Sequence, residues 1–176
     1  MSSTDRALSG SSAFHLAQVN IARLAAPLDS ETLRPFVEQL DPVNAAADES
    51  EGFIWRLQTD AGDATALRMF DDAELVVNLS VWESLAALRA FAFSAPGHVA
   101  VLKQRRSFFV PSEEAHAALW WIPAGSLPTV QEAEGRLRLL RERGPSPEAF
   151  TFRNGYPPPG LATLGGDQSD SPGVSA

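Results

Sequence analysis

Cysteine is absent from this 176-residue chain, which removes thiol nucleophiles, thiolate zinc sites and iron–sulfur clusters together, because each requires sulfur. Lys103 is the single lysine, so Schiff-base chemistry would rest on one amine set in a charged helical run. Basic residues are in deficit: 14 Lys and Arg stand against 22 Asp and Glu, for a net charge of -8. Such a surface repels phosphate backbones and anionic lipid heads, and nucleic-acid and membrane partners are disfavoured. No apolar run approaches the roughly 20 residues of a membrane span. Residues 1–12 are Ser- and Thr-rich and lack the apolar stretch of a secretory signal, so the expected location is the cytoplasm. There is no Gly-rich phosphate loop, no Gly-x-Ser-x-Gly elbow and no His-Glu-x-x-His, and neither His15 nor His116 has a second ligand at metal spacing. No metal site is expected.

What the chain does have is a 44% share of hydrophobic residues, enough at this length for one core that buries about 70% of the unfolded surface. Its apolar residues alternate in four places. Over residues 14–22, Leu16, Gln18 and Asn20 fall on one side and Ala17, Val19 and Ile21 on the other, the period-two signature of a strand. Residues 53–58 set Phe53, Trp55 and Leu57 against Ile54, Arg56 and Gln58. Residues 75–82 carry an aliphatic side, Val77, Leu79 and Val81, and a mixed one, Asn78, Ser80 and Trp82. The fourth strand covers Ala117 to Ile122, and a short extended piece is expected over residues 64–69.

Helical spacings fill the intervals. Leu33, Phe36, Val37 and Leu40 recur at three and four residues, with Pro35 in the first turn; Asp41-Pro42 predicts a restart or kink, since proline suits the first helical position. Ser84 can cap a helix with Leu85, Leu88, Phe91 and Ala92. A second helix runs from Gly97 to Phe109, with His98, Val101, Leu102 and Arg105 on one stripe and Pro111 as its stop. Thr129-Val-Gln-Glu132 is a capping box opening a helix with Val130, Ala133, Leu137 and Leu140 inward.

The order reduces to βαββαβ, the ferredoxin-like plan of an α+β domain, with an extra helix after the fourth strand. The expected organisation is a disordered N-terminus at 1–12, one domain at 13–156 and a disordered Pro- and Gly-rich tail at 157–176. Helices on one side of such a sheet leave the other side as a large apolar patch, and pairing of two copies through that side is the simplest cover. A homodimer is therefore expected.

Val81-Trp-Glu-Ser-Leu-Ala-Ala-Leu-Arg-Ala-Phe-Ala-Phe-Ser-Ala-Pro-Gly-His98 resembles the segment shared by the dimeric α/β-barrel superfamily, which includes the antibiotic-biosynthesis monooxygenases. Phe14 to Asn20, Gly52 to Gln58, Asn78 to Ser84, Leu119 to Gly125, Pro128-Thr129 and Phe150 to Phe152 resemble the bacterial family catalogued as domain of unknown function 3291, over residues 14–153. The first resemblance implies a dimeric α/β barrel and, in one branch, cofactor-free oxidation of electron-rich polycyclic phenols. Another branch degrades haem with a helix histidine; the corresponding positions here hold Phe91 and Val101, and His98 lies one turn earlier.

The candidate site follows from the polar residues that interrupt an otherwise apolar sheet. In the ferredoxin-like plan the first and third strands are neighbours, which brings Gln18 and Asn20 to Asn78, Ser80 and Trp82. Amides directed into an apolar cavity need partners, and a ligand oxyanion is one. Asn20 and Asn78 are candidate catalytic residues, with His98 as general base because an imidazole titrates near neutrality. Trp82, Trp55, Gln18, Ser80, Phe91 and Trp120 are candidate substrate-binding residues. The expected function is a small-molecule enzyme for a hydrophobic, aromatic or polyketide-like substrate, a cofactor-independent monooxygenase or an isomerase or cyclase. A haem-binding protein ligated by His98 and a non-catalytic dimeric ligand-binding protein are the alternatives.

Overall fold

The computed structural model describes residues 13–58, 69–72 and 74–161. The expected disordered ends, 1–12 and most of 157–176, and the extended piece over 64–68 lie outside the described residues. Nine elements follow in order: β1 (Phe14–Leu24), α1 (Arg34–Asp48), β2 (Phe53–Arg56), β3 (Leu75–Trp82), α2 (Leu85–Ser94), α3 (Pro96–Phe108), β4 (Phe109–Val110), β5 (Ala117–Pro123) and α4 (Val130–Arg143). For residues 96–98 and 101–102 in α3 only the backbone is described.

β1 is the centre of the sheet. It pairs antiparallel with β3 through Leu16↔Trp82, Gln18↔Ser80 and Asn20↔Asn78, and with β5 through Leu16↔Trp121 and Gln18↔Leu119. β2 adds to the far side of β3, and β4 pairs with the end of β1 at Arg23 and Leu24. Setting the two-residue β4 aside, the strand order is β2-β3-β1-β5, the ferredoxin-like arrangement, and the extra helix follows the last strand.

Alternation along these strands gives the sheet two unlike faces. Ala17, Val19, Ile21, Val77, Leu79, Val81, Ala118 and Trp120 form the aliphatic face and pack with Ala133, Leu137 and Leu140 of α4. Thr129 caps that helix by accepting from the Glu132 N–H at 3.1 Å. The reciprocal half of the expected capping box is replaced: the Glu132 carboxylate turns inward and accepts from the Trp120 indole at 3.0 Å. This face was expected to be left open for a second copy. Instead the chain's own α4 covers it, and Val77, Leu79, Val81 and Trp120 are at most 2% exposed within one chain. The apolar stripe of α4 requires an apolar surface, and the aliphatic face supplies it.

The second face carries Leu16, Gln18, Asn20, Ser80 and Trp82 and lies under α1 and α2, with Leu88, Phe91, Ala47 and Phe150 completing a separate cluster. Ser84 caps α2, its hydroxyl accepting from Ala87 N–H at 3.1 Å. Asp41-Pro42 does not restart α1, which runs unbroken from Arg34 to Asp48 with Pro42 inside it. Pro42 is exposed, so the carbonyl that loses its helical donor can take water instead. Phe109 likewise leaves the helical stripe expected for it and pairs with Leu24 as β4.

Gly52 marks the tight junction between the two layers. Its φ is +77°, and an added Cβ would stand 2.6 Å from the Ala87 Cβ of α2. Gly52→Ala is expected to cost about 1–3 kcal/mol from the left-handed backbone and this contact, seen as a lowered denaturation midpoint.

Candidate functional site

The helix-covered face does not close completely. Between the sheet, α1, α2 and the segment after α4 lies a cavity of about 420 Å³, within the range of small-molecule sites. The sheet contributes Gln18, Asn20, Asn78, Ser80 and Trp82, α1 contributes Asn44, α2 contributes Leu88 and Phe91, and β2 contributes Phe53 and Arg56. Five of these residues, Gln18, Asn20, Asn78, Ser80 and Trp82, form the polar set anticipated from strand alternation, and Phe91 joins them.

Two kinds of surface line the space. The apolar wall is aromatic: Trp82 stacks on Phe91 with centroids 5.2 Å apart and planes at 26°, and Phe53 meets its edge at 5.3 Å and 80°. This clamp fixes the indole, and a relay of hydrogen bonds fixes it further. Trp82 Nε1–H donates to Ser80 Oγ at 2.9 Å, and the Ser80 hydroxyl donates to Gln18 Oε1 at 2.8 Å. The acceptor of Gln18 is thereby used inside the protein, which leaves its carboxamide N–H groups for the cavity. Ser80→Ala would strand the Trp82 N–H and the Gln18 oxygen together, at a cost of about 1–3 kcal/mol for buried polar groups; equilibrium unfolding in denaturant measures it.

The remaining carboxamides are uncommitted. Among the described residues no hydrogen bond involves the side chains of Asn20, Asn44 or Asn78, although all three line the cavity. Each offers two N–H donors and one carbonyl acceptor. Asn20 and Asn78 are directly opposed in the β1–β3 ladder, so their Cβ atoms project from one patch of sheet. Such a pair can donate to one oxygen of a bound molecule.

Arg56 faces the same side, opposite Ser80, and is engaged with Asp48 at the end of α1 through Nε to Oδ1 at 2.8 Å and a second contact at 3.2 Å. His116, in the loop before β5, also lines the cavity; its irregular setting carried no periodic signal. The segment after α4 supplies the last wall. Phe150 exchanges two backbone hydrogen bonds with Leu119, at 2.8 and 2.9 Å, Trp121 Nε1–H donates to the Tyr156 carbonyl at 2.8 Å, and Thr151, Phe152 and Arg153 reach the cavity.

Two expected residues are elsewhere. Trp120 is fully buried on the aliphatic face beneath α4, and Trp55 packs against the same cluster. For Trp55 the reason is an irregularity in the β2–β3 register between Phe53 and Trp55, which puts Phe53 on the cavity side and Trp55 on the other despite their period-two spacing. The side chain of His98 lies outside what is described, so its expected place in the pocket, and with it the haem ligation, has no geometry here. No group of three or more His, Asp or Glu side chains suited to a metal ion occurs among the described residues. No helix among them is long and apolar enough to cross a membrane.

Fold and cavity together define a ferredoxin-like α+β domain with a single-chain pocket between its sheet and helices. The chain belongs to the family described as domain of unknown function DUF3291, whose model matches residues 15–165. No curated protein matches the chain. Among solved structures it is similar to SnoaB, a cofactor-independent oxygenase from Streptomyces nogalater, at 18% identity over 65% of this chain and 98% of that one, with a TM-score of 0.44. It is also similar to a conserved protein from Methanosarcina mazei Go1, at 11% identity over 63% and 93% with a TM-score of 0.45. Rv0793 from Mycobacterium tuberculosis matches at 12% identity over 65% and 99%, with a TM-score of 0.44.

Proposed function

We propose that this protein is a cytoplasmic enzyme acting on a hydrophobic, aromatic or polyketide-like small molecule, as a cofactor-independent monooxygenase or as an isomerase or cyclase working through the same enolate. The observation that carries this reading is the set of carboxamides without hydrogen-bond partners among the described residues, Asn20, Asn44 and Asn78, in a cavity walled by Trp82, Phe91 and Phe53. Asn20 and Asn44 are half-buried and Asn78 is exposed toward the cavity, and the donors gathered there can be met by an oxygen of the substrate.

The shared first step is removal of a proton from a C–H made acidic by a carbonyl, either beside it or conjugated to it through an aromatic ring. The electron pair moves onto the carbonyl oxygen, and Asn20 and Asn78 donate to the resulting anion. His116, at the cavity, is the proposed acceptor of that proton, with His98 as the second candidate. In the oxygenase form the carbanion reduces O2: one oxygen atom stays on the carbon as a carbonyl, and the other leaves as water with the two hydrogens of the original methylene. In the cyclase form the same carbon attacks a second carbonyl of the substrate. A homodimer, which the superfamily resemblance implies, belongs to the same proposal, with contacts other than the α4-covered face; sedimentation velocity distinguishes an 18.9 kDa chain from its pair.

The test uses anthrone, a tricyclic ketone with one acidic methylene. Without oxygen, the protein is expected to accelerate exchange of the methylene protons with deuterated water, followed by NMR. With oxygen, it is expected to consume one O2 per anthrone. Exchange without uptake selects the isomerase or cyclase form. Bound anthrone that neither exchanges nor reacts faster than in buffer overturns the catalytic reading in favour of a binding protein. His116→Ala is expected to slow exchange about 100-fold if it is the general base, with His98→Ala close to wild type; the reverse pattern moves the role to His98.

A further inference from the structure

The charge of the cavity is opposite to the charge of the chain. The protein carries 22 acidic and 14 basic side chains, yet the described residues lining the cavity include Arg56, Arg153 and His116 and no carboxylate. Of the carboxylates adjacent in sequence to lining residues, Asp48 is engaged with Arg56 at 2.8 Å and Glu114 with Arg141 at 3.1 Å, while Glu83, next to Trp82, does not line the cavity. Of the two arginines, Arg56 is therefore paired. Arg153 has no hydrogen bond or ion pair among the described residues, and it is exposed at the open side of the cavity.

Its position is held by the segment that bears it. Phe150 is fully buried and bonded to Leu119 on the edge of β5, and Arg89 of α2 donates to the Phe152 carbonyl at 2.5 Å. Arg89 also lies over the Phe152 ring, 5.9 Å from its centroid. The two residues before Arg153 line the cavity too, so the segment delivers an uncommitted guanidinium to the rim. An unpaired guanidinium beside an apolar cavity, with no acid to quench it, recognises a planar anion, for which its forked donors are suited.

We infer that the cavity takes an aromatic or polyketide-like acid, with its rings against Trp82 and Phe91 and its carboxylate or equivalent anionic group at Arg153. This rests on the small-molecule reading above and adds the ionic character of the substrate. The local positive rim also offsets the general repulsion that a chain of net charge -8 exerts on an anion.

Two fluorescent probes test it on the full chain: 1-anilinonaphthalene-8-sulfonate and N-phenyl-1-naphthylamine, which share their rings and differ by the sulfonate. The anionic probe is expected to bind about tenfold more tightly, the size of one charge-assisted hydrogen bond at a half-open site. Arg153→Ala should remove that preference and leave the neutral probe's affinity unchanged, Arg153→Lys should retain part of it, and added salt should shrink it in the wild type. Equal binding of the two probes to the wild type, or an Arg153→Ala loss shared equally by both, overturns the inference while the cavity stands. Failure of both probes to bind removes the cavity as a ligand site and the proposed function with it.

Discussion

Asn78→Ala is expected to lower kcat for the proposed reaction by roughly 10²–10³, the usual effect of removing one donor from a developing oxyanion. KM should change little, because the interaction strengthens only as negative charge collects on the oxygen. Asn78 has no hydrogen-bond partner among the described residues, so the substitution leaves no buried group orphaned and the melting temperature should hold. Asn78→Asp supplies the complementary test: it keeps the shape, replaces the donors with a negative charge, and should be at least as inactive. Asn20→Ala should resemble Asn78→Ala. Since the two face each other across the ladder, the double variant should lose less than the product of the single losses. A variant with unchanged kcat and a lowered melting temperature would assign Asn78 a structural role instead.

Trp120→Ala is expected to destabilise the fold by about 3–5 kcal/mol, a large part of the 5–15 kcal/mol that holds a typical domain together. Trp120 is fully buried between β5 and α4, its indole donates to Glu132 at 3.0 Å, and Arg136 lies over its ring at 5.8 Å. Removing it opens a cavity in the aliphatic core and loosens the helix that covers it. Chemical denaturation reads the loss directly. Trp120→Phe keeps most of the ring and should fold with a smaller penalty, since Glu132 retains Arg136 at 3.2 Å. Its affinity for the neutral naphthylamine probe should equal that of the wild type, because Trp120 stands on the face opposite the cavity. A tenfold loss of affinity in a Trp120→Phe protein of normal stability would contradict that placement.

The sequence reads clearly where periodicity is strong. β3 appears at its observed limits, and the unequal sides of β1 and β3 separate an aliphatic face from a polar and aromatic one. That separation makes the core of the site legible: Gln18, Asn20, Asn78 and Ser80 stand out because polar side chains at strand positions between apolar ones need a reason. Parity is also where the reading slips. Trp120 and Trp121 are adjacent, so alternation says that they face opposite ways without saying which way each points, and the shift between Phe53 and Trp55 moves a side chain across the sheet with no mark in the composition.

Other parts of the site depend on tertiary placement. Asn44 sits on α1, where a polar residue looks like a solvated one until α1 is docked over the sheet. His116, Thr151, Phe152 and Arg153 belong to irregular segments, and long-range contacts, the Leu119–Phe150 bridge and the Arg89 bond to the Phe152 carbonyl, carry the last three to the cavity. The cover of the aliphatic face was half visible: the stripe of Ala133, Leu137 and Leu140 was there to read, and the open sheet face was the surface it fits.

Ligands are expected to enter the helix-covered cavity and meet its carboxamides and Trp82. The most direct measurement is a titration of the labelled protein with the neutral naphthylamine probe, followed in ¹H–¹⁵N spectra by the four tryptophan indole signals and the side-chain amide signals of Gln18, Asn20, Asn44 and Asn78. The account predicts saturable shifts of the Trp82 indole and the four amides, with the Trp55 and Trp120 indoles unmoved. Shifts confined to Trp55 and Trp120, or amide signals that stay fixed while the probe binds, would contradict it.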